Sequence, residues 1–338
     1  MRFVNVAVLS ILLTGSLAFS PTFQQGVSKK TTLRPASQFT YSTALGPETG
    51  ITRRDPSDVI KVGGLYYLWY TKVLESQEGY PSGYPGVIAY ATSPDGENWQ
   101  EEGVCLETGQ GKSWDSHGVF TPNILVADGK YYLFYTAVPE PFDVPYTKGI
   151  TPTAIGVAVA DRPEGPWKKF KKNPILKPEA SEPDYFDSFR VDDASLIVRD
   201  GKYWLYYKGR SQNKSTGDTK MGLAIADKPT GPYKKQKQYG ALHAGHEVLV
   251  WPLNGGVASM ATASGPKAIY FAADGVHFEM QDKAENCPSA PGMYRSDNFQ
   301  NNTSMQPPYW GISHRLTKKK DNEPFAALFL QKFRYQPE

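Results

Sequence analysis

One pattern recurs along this chain, and a repeat of this kind constrains the fold more than any single residue does. It runs Asp55–Tyr70, Phe120–Tyr135 and Asp192–Tyr207, with a weaker copy at Glu247–Met260. Each copy reads as a β-branched strand, a Gly turn and an aromatic strand, which is a hairpin. A second motif follows each hairpin, at Ile88–Trp99, Ile155–Trp167, Met221–Tyr233 and Ala268–Phe278. Trp99 and Trp167 are 68 residues apart, and Trp167 and Tyr233 are 66 apart. Units of four strands at that period, without helical periodicity, predict the blades of a propeller. A fifth, irregular unit fits Tyr309–Arg315 and Ala326–Phe333. The expected fold is all-β: a five-bladed β-propeller with four-stranded antiparallel blades, occupying residues 41–338 as one domain.

Composition agrees. Aromatic residues make up 13% of the chain, punctuated by 31 Gly and 27 Pro. A hydrophobic share of 40% against 21% charged residues supports a packed core and excludes a disordered chain. With 37 Lys and Arg against 34 Asp and Glu, the net charge is +3, too balanced for a nucleic-acid or membrane-surface protein. The two cysteines, Cys105 and Cys287, cannot build a disulfide scaffold or a Cys-rich zinc site; one bridge or two free thiols both fit. Residues 1–20 read as a secretory signal: Arg2, an apolar core from Val4 to Leu17, and a small-x-small site at Ser16–Ala18. The apolar run is too short to span a membrane. Residues 21–40 read as a flexible polar leader. An exported protein, periplasmic or extracellular after cleavage and without membrane insertion, is expected.

Aligning the hairpins on Gly64, Gly129, Gly201 and Gly256 places Asp55, Phe120, Asp192 and Glu247 nine residues upstream. Three of four equivalent positions carry a carboxylate at the start of a first strand. In a propeller these strand ends converge on the axis, so the three acids share one cavity. The same register favours Asp192 over its neighbour Asp193. Carboxylates crowded together repel and raise one another's pKa. Glycoside hydrolysis uses that arrangement, with one group as base or nucleophile, one as acid, and a third to orient and tune. The competing reading is that acidic residues before strands are ordinary turn formers.

The chain resembles the family 43 type of five-bladed propeller glycosidases, and most specifically glycoside hydrolase family 117. The resemblance rests on Thr52–Ser57 with Tyr66–Lys72, on Asp192–Ala194 with Tyr206–Arg210, and on Gly245–Val248 leading to Trp251 and Pro252. It covers roughly Tyr41 to Phe333. It implies an exo-acting α-1,3-(3,6-anhydro-L-galactosidase) that trims neoagaro-oligosaccharides from red-algal agar with inversion. Implied roles are Asp55 as general base, Asp192 as orienter and pKa modulator, and Glu247 as general acid, unless the neighbouring His246 delivers the proton. An acid–base separation of roughly 6.5–9.5 Å is then expected between Asp55 and Glu247. Another terminal sugar, such as an arabinofuranoside or a galactoside, and a non-catalytic sugar-binding propeller are the alternatives.

Arg54, His117, Asp193 and Arg210 are candidate substrate-binding residues. Arg54 and Arg210 could contact sugar hydroxyls or steady the carboxylates, or serve at the surface. His243 and His246 lack a convincing third zinc ligand. The reading requires no cofactor, and it leaves room for a structural or active-site divalent cation without naming ligands. The expected partner is an oligosaccharide substrate. Relatives pair by exchanging a helical N-terminal extension, where this chain has about twenty polar residues, so monomer and homodimer both remain open. Loops Leu74–Gly86, Pro139–Thr153 and Ala284–Tyr309 are expected to set pocket depth.

Overall fold

The computed structural model describes residues 39–74, 85–141, 151–212, 214–262, 267–284, 286–301, 304–317 and 328–335. The signal and all but the last two residues of the leader lie outside these. Five antiparallel sheets form the five blades of a propeller. Blade 1 comprises Thr52–Arg54 and Ile60–Val62, Leu65–Val73, Val87–Ser93 and Gln100–Leu106. Blade 2 comprises Gly118–Ala127, Lys130–Val138, Ala154–Ala160 and Lys168–Lys169. Blade 3 comprises Arg190–Arg199, Lys202–Arg210, Lys220–Ala226 and Lys234–Lys235, with His243–Ala244 also pairing on its third strand. Blade 4 comprises His246–Leu253, Gly256–Thr262, Ala268–Ala272 and Glu279–Lys283.

Blade 5 is the irregular one. Ser289–Met293, Tyr309–Leu316 and Leu328–Tyr335 supply three strands, and Phe39–Leu45 supplies the outermost. The first strand described therefore begins at Phe39, two residues inside the expected leader, and pairs with the last. This ladder ties the first described strand to the last by backbone hydrogen bonds.

The first two strands of blades 1–4 are joined by two-residue turns, Gly63-Gly64, Asp128-Gly129, Asp200-Gly201 and Asn254-Gly255, with both residues at positive φ in each. This is the geometry whose twist matches the flanking strands, and it accounts for the Gly at every second position. Strands so fixed bury their apolar faces between blades. Trp69, Ile124, Phe134, Leu196 and Leu205 are fully buried in the largest cluster, and the Trp69 ring meets Trp167 of blade 2 edge-on at 5.9 Å. Asp95 and Asp274 cap the turns of blades 1 and 4, each accepting two backbone N–H bonds from the following residues. Cys105 and Cys287 are free thiols.

Blades 1 and 5 are locked by buried charge. Val59 and Tyr294 form a parallel bridge, and Gly292 packs so closely that a Cβ there would lie 1.8 Å from the Ser57 carbonyl oxygen. Arg295, fully buried, donates Nη1 to Asp58 Oδ2 at 3.0 Å and to the Leu196 carbonyl of blade 3 at 2.7 Å. Its Nε and Nη2 grip both oxygens of Asp297 at 2.8 Å, and its guanidinium lies 3.9 Å from the centre of the Phe299 ring. Among the described residues, no helix is long and apolar enough to cross a membrane.

Candidate active site

The structure corrects the register drawn from the turn glycines. The turn of blade 4 is Asn254-Gly255, with Leu253 pairing Gly256, so Gly255 and not Gly256 matches Gly64, Gly129 and Gly201. Blade 1 also has one more residue between its axial end and its turn than the others. The two offsets compensate between Asp55 and Glu247, which stay equivalent, but they move blades 2 and 3 by one. The backbone shows the true equivalence directly: Asp55, Thr121, Asp193, Glu247 and Ala290 all adopt φ between 43° and 63°. Four of these five residues sit where the ladder of a first strand slips, between Phe120 and Asn123, Asp192 and Ser195, His246 and Val248, and Ser289 and Gly292. A bulge with a left-handed residue turns the strand end toward the axis. That conformation costs a non-Gly residue on the order of 1–2 kcal/mol. Asp193, not Asp192, therefore occupies the position equivalent to Asp55 and Glu247.

These residues surround one small axial cavity of about 40 Å³, lined by Asp55, Thr121, Asp193, Glu247 and Ala290 and by residues just after them, including Asp58. It has room for a water and not for a sugar ring. Of the loops expected to wall a sugar, 75–84 and 142–150 lie outside the described residues, while Asn301 and Ser304 of the third bond the Gly201 and Gly255 turns at the opposite end, so that part of Ala284–Tyr309 does not border this cavity.

The contacts divide into two groups. On one side, Arg54 Nε donates to Asp55 Oδ2 at 2.9 Å, and His314 Nδ1 lies 3.3 Å from Asp55 Oδ1 and accepts the Asp55 N–H at 3.2 Å. Glu247 Oε2 accepts from the Ala290 N–H at 2.7 Å and from Thr262 Oγ1 at 3.1 Å. Asp55, Glu247 and His314 each present one donor atom within 4.8 Å of the others. Two carboxylates and an imidazole so grouped are a donor set that could hold a divalent cation. Both carboxylates lean on blade 5, Asp55 on His314 and Glu247 on the Ala290 N–H.

On the other side, Lys208 Nζ lies 2.6 Å from Asp193 Oδ2 and 3.3 Å from Asp192 Oδ1, in ion-pair contact with both. It also lies 3.4 Å from His246 Nε2, while His246 Nδ1 meets Thr219 Oγ1 at 3.1 Å. Arg54, Asp55, Asp192, Asp193, Lys208, Arg210 and His314 are all buried or nearly so.

Burial and charge set the proton affinities. Burial, reinforced by Asp192 and Asp55 and opposed by Lys208, pushes Asp193 up to about 7. Burial also acts to raise Glu247, but His314, His246 and Lys208 together outweigh it and bring the carboxyl below the usual glutamate range. Burial and the Lys208 charge lower His246 to about 4. Lys208 itself is held above the ordinary lysine value, because Asp192 and Asp193 overcome the burial that disfavours its charge. One ammonium among several acids stays charged yet cannot compensate all of them.

Of the residues anticipated from sequence, the fold brings together Asp55, Asp193 and Glu247 around the cavity, with Arg54 on Asp55 and with Asp192 and His246 on Lys208. His117 and Arg210 stand at the same ends of their strands but do not line this cavity. His243 is stacked on Tyr270 at 4.4 Å and bonded to Ser259, a packing role. Sequence reasoning missed Lys208 and His314. Aligning the second strands of the blades finds both, since they stand where blades 1, 2 and 4 carry Thr71, Thr136 and Thr262.

Comparison with known proteins agrees with this geometry. Residues 49–195 match the profile described as Glycosyl hydrolases family 43. An extracellular endo-α-(1→5)-L-arabinanase of Thermotoga petrophila is 29% identical over 168 residues, 45% of this chain and 33% of that protein. Xylosidase/arabinosidase 43A of Humicola insolens is 33% identical over 109 residues, 32% of this chain and 27% of that protein. The chain thus spans about a third of the length of these curated relatives, or less. Among solved structures, a family 117 glycoside hydrolase of the marine bacterium Zobellia galactanivorans superposes with a TM-score of 0.75 at 30% identity, over 88% of this chain and 90% of that one. With blades, axial carboxylates and near-complete overlap all in agreement, the chain belongs to glycoside hydrolase family 117.

Proposed function

We propose that this glycoside hydrolase is exo-acting and removes a terminal 3,6-anhydro-α-L-galactose, or a closely related unit, from red-algal galactan oligosaccharides with inversion. The observation that carries the reading is that Asp55, Asp193 and Glu247 stand at equivalent left-handed positions around one axial cavity, in a member of family 117. Asp55, oriented by Arg54, is the general base that activates water. Asp193 and Asp192 are the modulating pair. Two residues compete as proton donor. Glu247 already accepts two hydrogen bonds on one oxygen, has a lowered proton affinity and approaches Asp55 closely, which favours His246. With the free ring held at about 4, this assignment requires an acidic working range or a proton gained when substrate binds.

The reading also includes export, in keeping with the extracellular name of the Thermotoga relative. The test is incubation with neoagarobiose and with matched carrageenan- and porphyran-derived disaccharides, following released monosaccharide and its initial anomer by NMR. Release of 3,6-anhydro-L-galactose with inverted configuration is expected. Release of a different terminal sugar would replace the substrate assignment, and tight binding without turnover would replace the enzyme by a binding propeller. An aryl glycoside with a good leaving group separates the two acids, since it rescues the variant that lacks the true donor.

A further inference from the structure

The fivefold repeat supplies an internal control for Lys208. The residues pairing with the axial ends of the first strands are Thr71, Thr136, Lys208, Thr262 and His314. At three of these positions the side chain accepts the N–H of the left-handed residue in the next blade: Thr71 Oγ1 from Thr121 at 2.9 Å, Thr136 Oγ1 from Asp193 at 3.3 Å, and His314 Nδ1 from Asp55 at 3.2 Å. An ammonium has no lone pair and cannot accept the corresponding Glu247 N–H. The fold thus gives up a seam bond between blades 3 and 4, and it buries a lysine where threonine serves elsewhere. A buried cation is costly unless something requires it.

We infer that Lys208 is a positioning residue of the reaction, whose ammonium holds Asp192 and Asp193 side by side and ties them to His246. The inference rests on the reading of this ring as the catalytic site. Groups facing Lys208 are Asp192 and Asp193 from strand Arg190–Arg199, and His246 and Glu247 from strand His246–Leu253. Asp193 also feels the charge of Asp55, and from blade 2 it meets the Thr136 hydroxyl; strand Ala154–Ala160 contributes no charged side chain. With Lys208 gone, Asp193 loses the charge that opposes its burial, so it keeps its proton to higher pH, and the oxygens of both carboxylates lose the point that fixes their direction.

The test has two readouts. Lys208→Thr restores the residue of the other blades; kcat should fall about 100-fold with KM nearly unchanged, as for a misplaced catalytic shell. Carbon-13 NMR of labelled aspartate, assigned with Asp193→Asn, should show the Asp193 carboxyl titrating at higher pH than in the parent. Lys208→Cys alkylated with bromoethylamine rebuilds the ammonium and should recover both values. If Lys208→Thr does not fold, Lys208→Met, which keeps the length and packing of the side chain without its charge, takes its place, and the proposal then requires the same rise in the Asp193 titration and the same fall in kcat. An unmoved Asp193 titration in Lys208→Thr, or a lowered Tm with kcat unchanged, would overturn the inference. A parent protein that hydrolyses none of the saccharides would sink the functional reading alone, because the titration is measured without substrate.

Discussion

Two clusters of buried charge lie around the propeller axis, and they are built on opposite principles. In the Asp58–Arg295–Asp297 cluster, the guanidinium makes four hydrogen bonds to two carboxylates and a carbonyl, and Asp58 Oδ1 also accepts the Met293 N–H at 2.8 Å. Its geometry is closed. Around Lys208, one ammonium serves both Asp193 Oδ2, at 2.6 Å, and Asp192 Oδ1, at 3.3 Å; the axial cavity does not separate the two clusters, since Asp58 and Asp193 both line it. A network whose acceptors are matched by fixed donors is sealed and holds structure, whereas two acids sharing one ammonium are poised to take a proton or a ligand.

The largest effect that would test this contrast is Asp55→Asn. It should lower kcat by about 10²–10⁴-fold, the span of a general base, with an unchanged melting profile. Retained turnover on the open side would erase the distinction. Next comes Arg295→Met, which leaves Asp58 and Asp297 unpaired and should cost about 3–5 kcal/mol of stability in denaturant titration. Any folded fraction should keep its specific activity; a catalytic loss in fully folded protein would show that the sealed cluster is not merely structural.

The pH dependence sharpens the comparison. If His246 is the proton donor, kcat/KM should decline as pH rises above its free-enzyme value of about 4. A profile flat to neutrality would remove His246 from that role. On the sealed side, burial raises Asp58 to about 6, with Arg295 opposing. The folded state therefore binds a proton more tightly than the unfolded chain, so this residue's contribution is complete below the ordinary aspartate range and is lost as pH rises toward about 6. Asp58→Asn should flatten the stability curve over that interval, although it lowers the whole curve. The smallest effect belongs to the exposed rim: Lys202→Ala, which breaks a 3.2 Å pair with the exposed Asp227, should change stability by less than about 0.5 kcal/mol.

The blades were legible because a propeller repeats one local problem. A turn that needs two positive φ values leaves Gly at a fixed place, and half-buried strands leave aromatic and β-branched residues beside it. The carboxylates of blades 1 and 4 fell together in that count because an extra residue in blade 1 offset the displaced turn glycine taken for blade 4. Asp193 was not, because a one-residue bulge decides which of two adjacent aspartates faces the axis, and counting from a turn does not register an extra residue in another blade.

From the sequence alone came the repeat, its period, and a set of acids recurring at one place in it, since these follow from local backbone preference and need no partner. Tertiary structure decided what those acids meet: His314 from the last blade, Lys208 in place of a threonine, and Arg295 closing the ring from far along the chain. Such contacts join residues distant in sequence, and the proton affinities they set depend on burial and on neighbouring charge, which exist only once the blades have closed around the axis.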